Sequence, residues 1–277
     1  MKQITMLLRN PSFSFGAAFI LISMFIALFG PVLLGTNPFE RAGMPFEAPS
    51  LEHVLGTNSQ GQDALAQLFS GLRSSLMVGV SAGLLATIVG TLIGLFSGYK
   101  GGFIDNVLTM LTNLFLVIPS LIILILISNS VEKRSLLLVA VIIGATTWTW
   151  TARAVRAQTQ SLKNRDHVNL AKLNGYSTLS IIILHILPYI LSYVFMAFIL
   201  QMASGILSEA AISMLGLGPY DTVSLGLILH YAQQNEALVN GNWWVFMPAT
   251  ILISLITFSL YLMNTAMEGV FNPRLRK

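Results

Sequence analysis

Residues 169–188 read NLAKLNGYSTLSIIILHILP, a polar interruption in an otherwise apolar chain. Just upstream, Asp166 is placed to cap a short helix, and Gly175 is placed to end it in a left-handed conformation. Ser177 offers a cap for a second helical segment, which Pro188 would end or kink where the next apolar run begins. The stretch therefore predicts a helix, a glycine turn and a second helix, which together form a compact protrusion.

The first of these two helices has mixed faces. Val168, Leu170, Ala171 and Leu173 are predicted to form its apolar side. Its polar side is expected to carry Asn169, Lys172 and Asn174. A helix lying among lipid headgroups is one interpretation, but this helix is too short and too weakly apolar for strong membrane binding. Insertion into a groove on a soluble partner explains the mixed faces better.

Composition indicates the class of protein. Of the 277 residues, 55% are hydrophobic and 9% are charged, whereas soluble domains carry about 25% charged residues. The chain is therefore expected to be an integral membrane protein. It has no cysteine, which excludes disulfides, cysteine–zinc sites and thiol catalysis. The net charge of +4 does not indicate nucleic-acid binding, because the basic residues cluster in short segments beside apolar runs.

Six apolar runs are candidates to cross a membrane, which takes about 20 residues. The first could be a cleaved signal peptide, but it exceeds the usual apolar length of about 7–15 residues and lacks an A-x-A site. Pro119 and Pro248 lie within two runs and should kink them. The predicted spans are Phe13–Leu34, Ser75–Ser97, Asn106–Ser128, Leu136–Thr151, Tyr189–Ala211 and Trp244–Met263.

The distribution of basic residues predicts the orientation. With the N-terminus inside, the inner segments hold 11 basic residues and the outer ones 4, together the 15 of the chain. Both termini are therefore expected in the cytoplasm. The predicted transmembrane domain covers residues 13–277. Residues 1–12 form a cytoplasmic segment that precedes this domain. Within the domain, the loop 153–188 and the tail 264–277 are predicted to be cytoplasmic. The predicted outer loops include residues 35–74 and 212–243.

Small residues recur at four-residue spacing along the second span. Gly79 and Gly83, then Gly90, Gly94 and Gly98, lie on nearly one helical stripe, which lets another backbone approach closely. Packing between helices of the same subunit is the favoured interpretation, and a contact between subunits is the alternative.

Sequence motifs of catalysis are missing. The chain contains no H-E-x-x-H, no G-x-S-x-G and no G-x-x-x-x-G-K-[ST], so neither a zinc protease, a serine hydrolase nor a nucleotide-binding P-loop is predicted. No ionisable residue lies near the centre of a predicted span, and Glu209 comes closest, near the end of the fifth. Such residues usually mark pumps and proton relays. The chain is therefore not expected to be an enzyme, and any uphill transport would take its energy from another protein.

The loop 153–188 resembles the cytoplasmic coupling loop of permease subunits of binding-protein-dependent ABC importers. Their pattern is Glu-Ala-Ala, three residues, Gly, then about nine residues to Ile-x-Leu-Pro. Here Asn169, Leu170 and Ala171 occupy the first part, without the Glu and the first Ala. Gly175 matches the glycine, and Leu187 and Pro188 form the ending.

Three further stretches carry the resemblance to the dipeptide, oligopeptide and nickel permeases. HVLGTNSQGQDALAQLFSGLRSSLMVG (residues 53–79) matches at Gly56, Thr57, Gly61, Asp63 and Arg73, whereas Asn58 and Gln62 replace the family's Asp and Arg. SEAAISMLGLG (residues 208–218) keeps Glu209, Gly216 and Gly218. MEGVFNPRLRK (residues 267–277) aligns Gly269, Pro273, Arg274 and Leu275. The chain is similar to the second, C-type, permease of that group.

The resemblance implies a type I ABC importer permease: an all-α membrane protein with six spans and a helix-turn-helix coupling loop. It implies assembly with a sister permease, two ATPase subunits and an extracytoplasmic binding protein in a bacterial or archaeal cytoplasmic membrane. ATP and magnesium would bind in the ATPase subunits, and this chain would hold no cofactor or metal. The coupling loop, with Asp166 beside the motif, would contact the ATPase, and the matched residues of the 53–79 and 208–218 stretches would lie on the outer face or along the pathway.

The cargo is expected to be a dipeptide or oligopeptide, with an oligosaccharide or a nickel chelate as alternatives. A secondary transporter or channel without an ATPase is the competing class. It would call for intramembrane ionisable groups or inverted halves with broken helices, and neither is visible in the sequence.

Overall fold

A computed structural model describes residues 6–271. Lys2, Arg276 and Lys277, which entered the orientation argument, and Pro273, Arg274 and Leu275 of the tail motif lie outside the described residues. The regular secondary structure within residues 6–271 is helical. Its helices are α1 (Pro11–Leu34), α2 (Ala64–Lys100), α3 (Gly102–Val117), α4 (Ser120–Asn129), α5 (Leu136–Leu162), α6 (Asp166–Leu173), α7 (Thr178–Ser180), α8 (Leu187–Met214), α9 (Leu225–Gln234) and α10 (Trp243–Phe271), with a π-helical turn at Ile181–Ile186.

Five helical segments of the described chain are long and apolar enough to cross a membrane. They are α1, α2, α5, the continuous segment Thr178–Met214, and α10. Helices α3 and α4 form a sixth span if they are taken together, although they are bent by 79° at the short break between them. This architecture confirms the prediction of an all-α membrane protein, with the predicted six spans if the bent pair counts as one.

The break between α3 and α4 has a local cause. Pro119 has no backbone N–H, and its ring forces the preceding residue out of the helical region. Ile118 accordingly adopts φ −86° and ψ 121°. The sequence predicted a kink here and no broken helix, so this break is a difference from the expectation. By contrast, α10 continues through Pro248 and α1 continues through Pro31.

Helix α2 is central because its glycines let α5 approach. A Cβ atom at Gly90, Gly94 or Gly98 would lie only 2.6–2.7 Å from a backbone carbonyl oxygen of α5. The three carbonyls belong to Trp148, Ala152 and Arg156, one helical turn apart. A Cβ at Gly83 would lie 2.8 Å from the backbone nitrogen of Met202 on α8. The glycine stripe therefore packs helices within one subunit, as predicted.

Helix α5 is longer than the predicted span, which ended at Thr151. It runs to Leu162, so Arg153 and Arg156 are helical residues, and the protrusion between α5 and α8 is shorter than the predicted loop 153–188. The guanidinium of Arg156 forms a two-point ion pair with Asp105 of α3, with N–O distances of 2.6 and 2.7 Å. This pairing lets a charged helical turn pack against the bundle.

Candidate functional site

Helix α6 lies at one end of the bundle, called here the α6 end, and divides its apolar residues between two environments. Val168 and Ala171 are buried against the turn at Ile181–Ile186 and the start of α8. Leu170 and Leu173 point away, with 59% and 84% of their surface exposed. The expectation of one apolar side was wrong for these two leucines. They form instead an uncovered apolar edge.

The ends of α6 show which predicted capping residues act. Asp166 is its first residue and Arg165 precedes it in an extended conformation, so Asp166 does not cap the helix as predicted. Its negative charge still lies at the favourable end of the helix dipole. Gly175 adopts φ +78°, and its N–H donates to the Lys172 carbonyl at 3.1 Å.

The Tyr176 N–H donates to the Ala171 carbonyl at 3.2 Å, which completes a Schellman turn at this helix end. The left-handed conformation predicted for Gly175 is confirmed.

The return from α6 to the bundle passes through a widened helical turn. Ser177 caps it as predicted, accepting a bond from the Ser180 N–H at 3.3 Å. Pro188 does not end the segment, because the helix continues through Ile181–Ile186 with π-helical bonds into α8. The proline ring would clash with the carbonyl four residues earlier, and a wider turn relieves that clash.

Asn169, Gly175 and Tyr176 are exposed beside the two leucines. Leu187 is half-buried and Pro188 is exposed. Together with the uncovered leucines, they make the end of α6 a small protruding surface of mixed polarity.

The other end of the bundle, the α9 end, carries the loop of residues 35–63. Thr57 is fully buried there; its hydroxyl donates to the Met44 carbonyl at 2.6 Å and accepts from the Glu47 N–H at 2.9 Å. Asp63 caps α2 through the Ala66 N–H at 2.9 Å. Its other carboxylate oxygen lies 3.0 Å from Nδ1 of His53.

The two glycines of this stretch adopt positive φ where chain segments touch: Gly56 (φ 64°) lies against the Glu47 carbonyl and Gly61 (φ 74°) against the Gly43 carbonyl.

Two departures from the family pattern contact each other. The side-chain amide of Asn58 donates to Oε1 of Gln62 at 2.8 Å and to Oε1 of Gln67 at 3.0 Å. Gln67 in turn donates to Gln62 at 2.6 Å. All three side chains are buried. The Asp and Arg of the resemblance are therefore replaced here by a neutral, hydrogen-bonded amide pair.

Glu209 lies at a helix junction and has no exposed surface. Its carboxylate accepts hydrogen bonds from the hydroxyls of Ser75 at 2.9 Å and Ser213 at 2.6 Å. Ser75 also accepts from the Leu225 N–H, the first of α9, at 3.1 Å. Glu209 thus joins α2, α8 and α9.

Gly216 and Gly218 belong to the turn after α8, which a buried arginine holds in place. Arg134 is 5% exposed and donates to the carbonyls of Gly218 at 3.2 Å, Gly216 at 3.4 Å and Ser128 at 2.9 Å. Its guanidinium also bonds the hydroxyl of Tyr220. From the sequence, Arg134 was expected only to be one of the four outer basic residues. The Gly-Leu-Gly spacing was a signal that a tight turn with free carbonyls lay nearby.

Arg73 is exposed and lines a cavity of about 320 Å³ at the α9 end, together with Asp221, Pro31 and Pro38. The residues predicted for the outer face therefore fall into three places: the 35–63 loop, the Arg73 cavity, and the junction under α9. The structure does not bring them together in one pocket of the described chain.

A second cavity, of about 390 Å³, opens beside the break between α3 and α4. It is lined by residues of α3, α4, α5, α8 and α10, among them Ser120, Trp150, Gln201, Ser204 and Tyr261. Trp148 is buried beside Phe115, but Trp150 is 48% exposed and lines this cavity. Within residues 6–271, no group of three or more His, Asp or Glu side chains is arranged to hold a metal.

Comparison with known proteins identifies the class. Residues 90–277 match the family of binding-protein-dependent transport system inner membrane components. The chain belongs to this family: it is a multi-pass permease component of an ABC transporter that works with a binding protein and an ATPase. Such subunits lack ATPase activity of their own.

Named relatives are similar over nearly the whole chain. The oligopeptide transport system permease protein OppC of Mycobacterium tuberculosis is 31% identical over 97% of this chain and 92% of its own length. OppC of Escherichia coli is 35% identical over 92% of this chain and 84% of its own length. The dipeptide transport system permease protein DppC of Bacillus subtilis is 29% identical over 98% of this chain and 84% of its own length.

Proposed function

We propose that this chain is the C-type permease subunit of an importer for dipeptides or oligopeptides. The similar proteins described above are permeases of oligopeptide and dipeptide transport systems by name, which supports this cargo. A sister permease would pair with the chain, and two ATPase subunits would supply the energy. Solute would arrive from a binding protein on the opposite side of the membrane.

The uncovered edge of α6 carries the proposal for ATPase docking. Leu170 and Leu173 expose apolar surface on a helix whose other face is fixed to the bundle. An anchored helix with an uncovered apolar edge suits insertion into a groove on a partner. The packing of Val168 and Ala171 fixes the direction in which this edge projects, and the Schellman turn at Gly175 ends the helix just beyond it. Movement of the ATPase groove would then reach α8 through the turn at Ile181–Ile186, into which Val168 and Ala171 pack.

The orientation follows from the same assignment. The α6 end faces the cytoplasm, with both termini on that side, and the α9 end faces the binding protein. Lys163, Arg165 and Lys172, at or beside α6, agree with an excess of positive charge on the cytoplasmic side. The 35–63 loop, Arg73 and the turn at Gly216 and Gly218 would then form the surface that receives the binding protein.

Reconstitution tests this function. The assembled complex in lipid vesicles, supplied with its binding protein and ATP, should accumulate a labelled short peptide. A labelled oligosaccharide and a labelled nickel chelate, each offered separately, should not accumulate. Uptake of either in place of the peptide would contradict the cargo. Peptide uptake that continues without the ATPase subunits would contradict the mechanism.

A further inference from the structure

The break between α3 and α4 leaves backbone groups without helical partners at residues that line the cavity. The Phe115 carbonyl loses its usual donor four residues ahead because residue 119 is proline. Ser120 begins α4, and the first N–H groups of a helix have no partner within it. Both residues line the cavity. The break thus leaves an acceptor of α3 and a donor of α4 without helical partners in an apolar span, where an unsatisfied backbone group costs several kcal/mol.

Gln201 adds a fixed amide to the same cavity. Its side chain is 5% exposed, and its NH2 group donates to the Thr147 carbonyl at 2.9 Å and to the Thr151 hydroxyl at 2.8 Å. These two bonds hold the amide plane against α5. They leave the Gln201 carbonyl oxygen as the atom that can accept a hydrogen bond from a bound molecule.

The remaining lining combines uncharged polar side chains with apolar ones. Among the described residues, those lining this cavity include no Asp, Glu, Lys, Arg or His. Ser204 and Tyr261 offer hydroxyls, and Trp150 offers an indole N–H with a large apolar face. A site of this kind cannot select solutes by side-chain charge. It offers paired donors and acceptors beside apolar walls, which is the complement of a peptide group and its neighbouring side chains.

We propose that this cavity is the half-site through which the permease holds its cargo within the membrane, and that it binds main-chain amide groups of a peptide. The inference rests on the proposed peptide transport and assigns to it a place in the chain. The sister permease would close the open side of the cavity. Since the binding protein carries out the first selection, a site that reads the main chain would pass peptides of many sequences.

A pair of matched serine variants tests the location. Ser204 lines the cavity, whereas Ser254 lies exposed on α10 and bonds only its own helix through the Thr250 carbonyl. In the reconstituted complex, Ser204→Phe should lower peptide uptake at least tenfold, and Ser254→Phe should leave it unchanged. Assembly with the ATPase subunits, checked by co-purification, should be normal for both. Uptake at the wild-type rate by the Ser204→Phe complex would overturn the assignment.

Ester analogues test the recognition of amides. Each amide of a short peptide is replaced in turn by an ester, which removes one N–H, and each analogue is supplied already bound to the binding protein. At one position the wild-type complex should transport the ester roughly tenfold more slowly, the effect of about one hydrogen bond. Gln201→Leu should transport peptide and ester at equal rates. Equal rates for every ester in the wild type would overturn amide recognition.

Uptake by the wild-type complex distinguishes a failure of the proposed peptide import from a failure of the proposed cavity site. If the wild-type complex takes up no peptide, both the proposed function and this inference fail. If it takes up peptide while Ser204→Phe and the esters have no effect, the proposed function stands and the inference alone is wrong.

Discussion

Helices α6 and α8 end in the same backbone turn but in opposite surroundings. At both, a glycine with φ +78° and the residue after it donate N–H bonds to the last carbonyls of the helix. A Cβ atom added at Gly175 would meet no atom within 4 Å, whereas one at Gly216 would lie 3.1 Å from the ring of His230. The guanidinium of Arg134 also donates a hydrogen bond to the carbonyl of Gly216.

The same glycine turn at a helix end therefore serves two purposes. The Gly216 turn is held by a buried cation and a neighbouring helix, so it acts as a fixed joint. The Gly175 turn is open, and the exposed Leu170 and Leu173 beside it remain available to a partner. We therefore expect changes at the α9 end to lower stability while docking is kept, and changes at the α6 end to do the reverse.

The largest effect is expected from Arg134→Ala, which breaks the fixed joint. It leaves buried carbonyls without a donor and should lower the free energy of unfolding by about 3 kcal/mol. Lys133→Ala is the matched control, because Lys133 is the adjacent cation and is exposed. Thermal unfolding in detergent measures both. A wild-type unfolding temperature for Arg134→Ala would show that the turn does not depend on this cation.

Leu173→Asp should give the next largest effect, at the open turn. If the leucine is buried against the ATPase, its loss removes about 1.5–3 kcal/mol of binding, roughly a 10- to 100-fold weaker affinity for the ATPase subunits. Leu51→Asp is the control, since Leu51 is fully exposed in the 35–63 loop. Titration of purified ATPase onto nanodisc-embedded permease measures the affinity. Equal affinities for the two variants would refute docking at this edge.

Gly175→Val should have a moderate effect. A β-branched residue in the left-handed region is strained by about 1–2 kcal/mol. The end of α6 should therefore loosen, and solute-stimulated ATP hydrolysis should fall roughly tenfold while membrane insertion is normal. Gly35→Val introduces the same strain at the end of α1, also with φ positive and open space around the Cβ. ATP hydrolysis assays should find that control unchanged; a loss in both variants would indicate general destabilisation.

The smallest effect is expected from a substitution at Asn58, in the 35–63 loop of the α9 end. Asn58→Asp places a buried carboxylate beside the acceptor oxygens of Gln62 and Gln67, and it should destabilise the loop by about 1 kcal/mol. Adding Gln62→Arg recreates the family's charged pair and should recover the loss. Chemical denaturation of the single and double variants measures the coupling. Additive effects would mean that the two positions do not interact.

Local sequence signals predicted the helical spans and the glycine turn well, because both depend on nearest neighbours. The apolar runs had the length of spans, and Gly175 followed directly after the predicted short helix. The glycines of α2 likewise indicated close packing, since their spacing matches one helical stripe. These features need no knowledge of which distant residues meet.

Long-range partners account for what the sequence did not reveal. Arg156, on the part of α5 beyond its predicted end, pairs with Asp105 about fifty residues away, and the buried Arg134 donates to carbonyls of residues 216 and 218. The outward direction of Leu170 and Leu173 depends on which face Val168 uses to pack. The cavity at Pro119 required the arrangement of five helices, which no single stretch encodes.

Photo-cross-linking from position 173 tests whether α6 docks on the ATPase. A photoreactive amino acid replaces Leu173 in the full complex, within native membranes, and the adducts are separated by mass. We expect a cross-link to an ATPase subunit whose yield changes between the nucleotide-free and the ATP-bound states. Adducts with phospholipid alone, in both states, would contradict it.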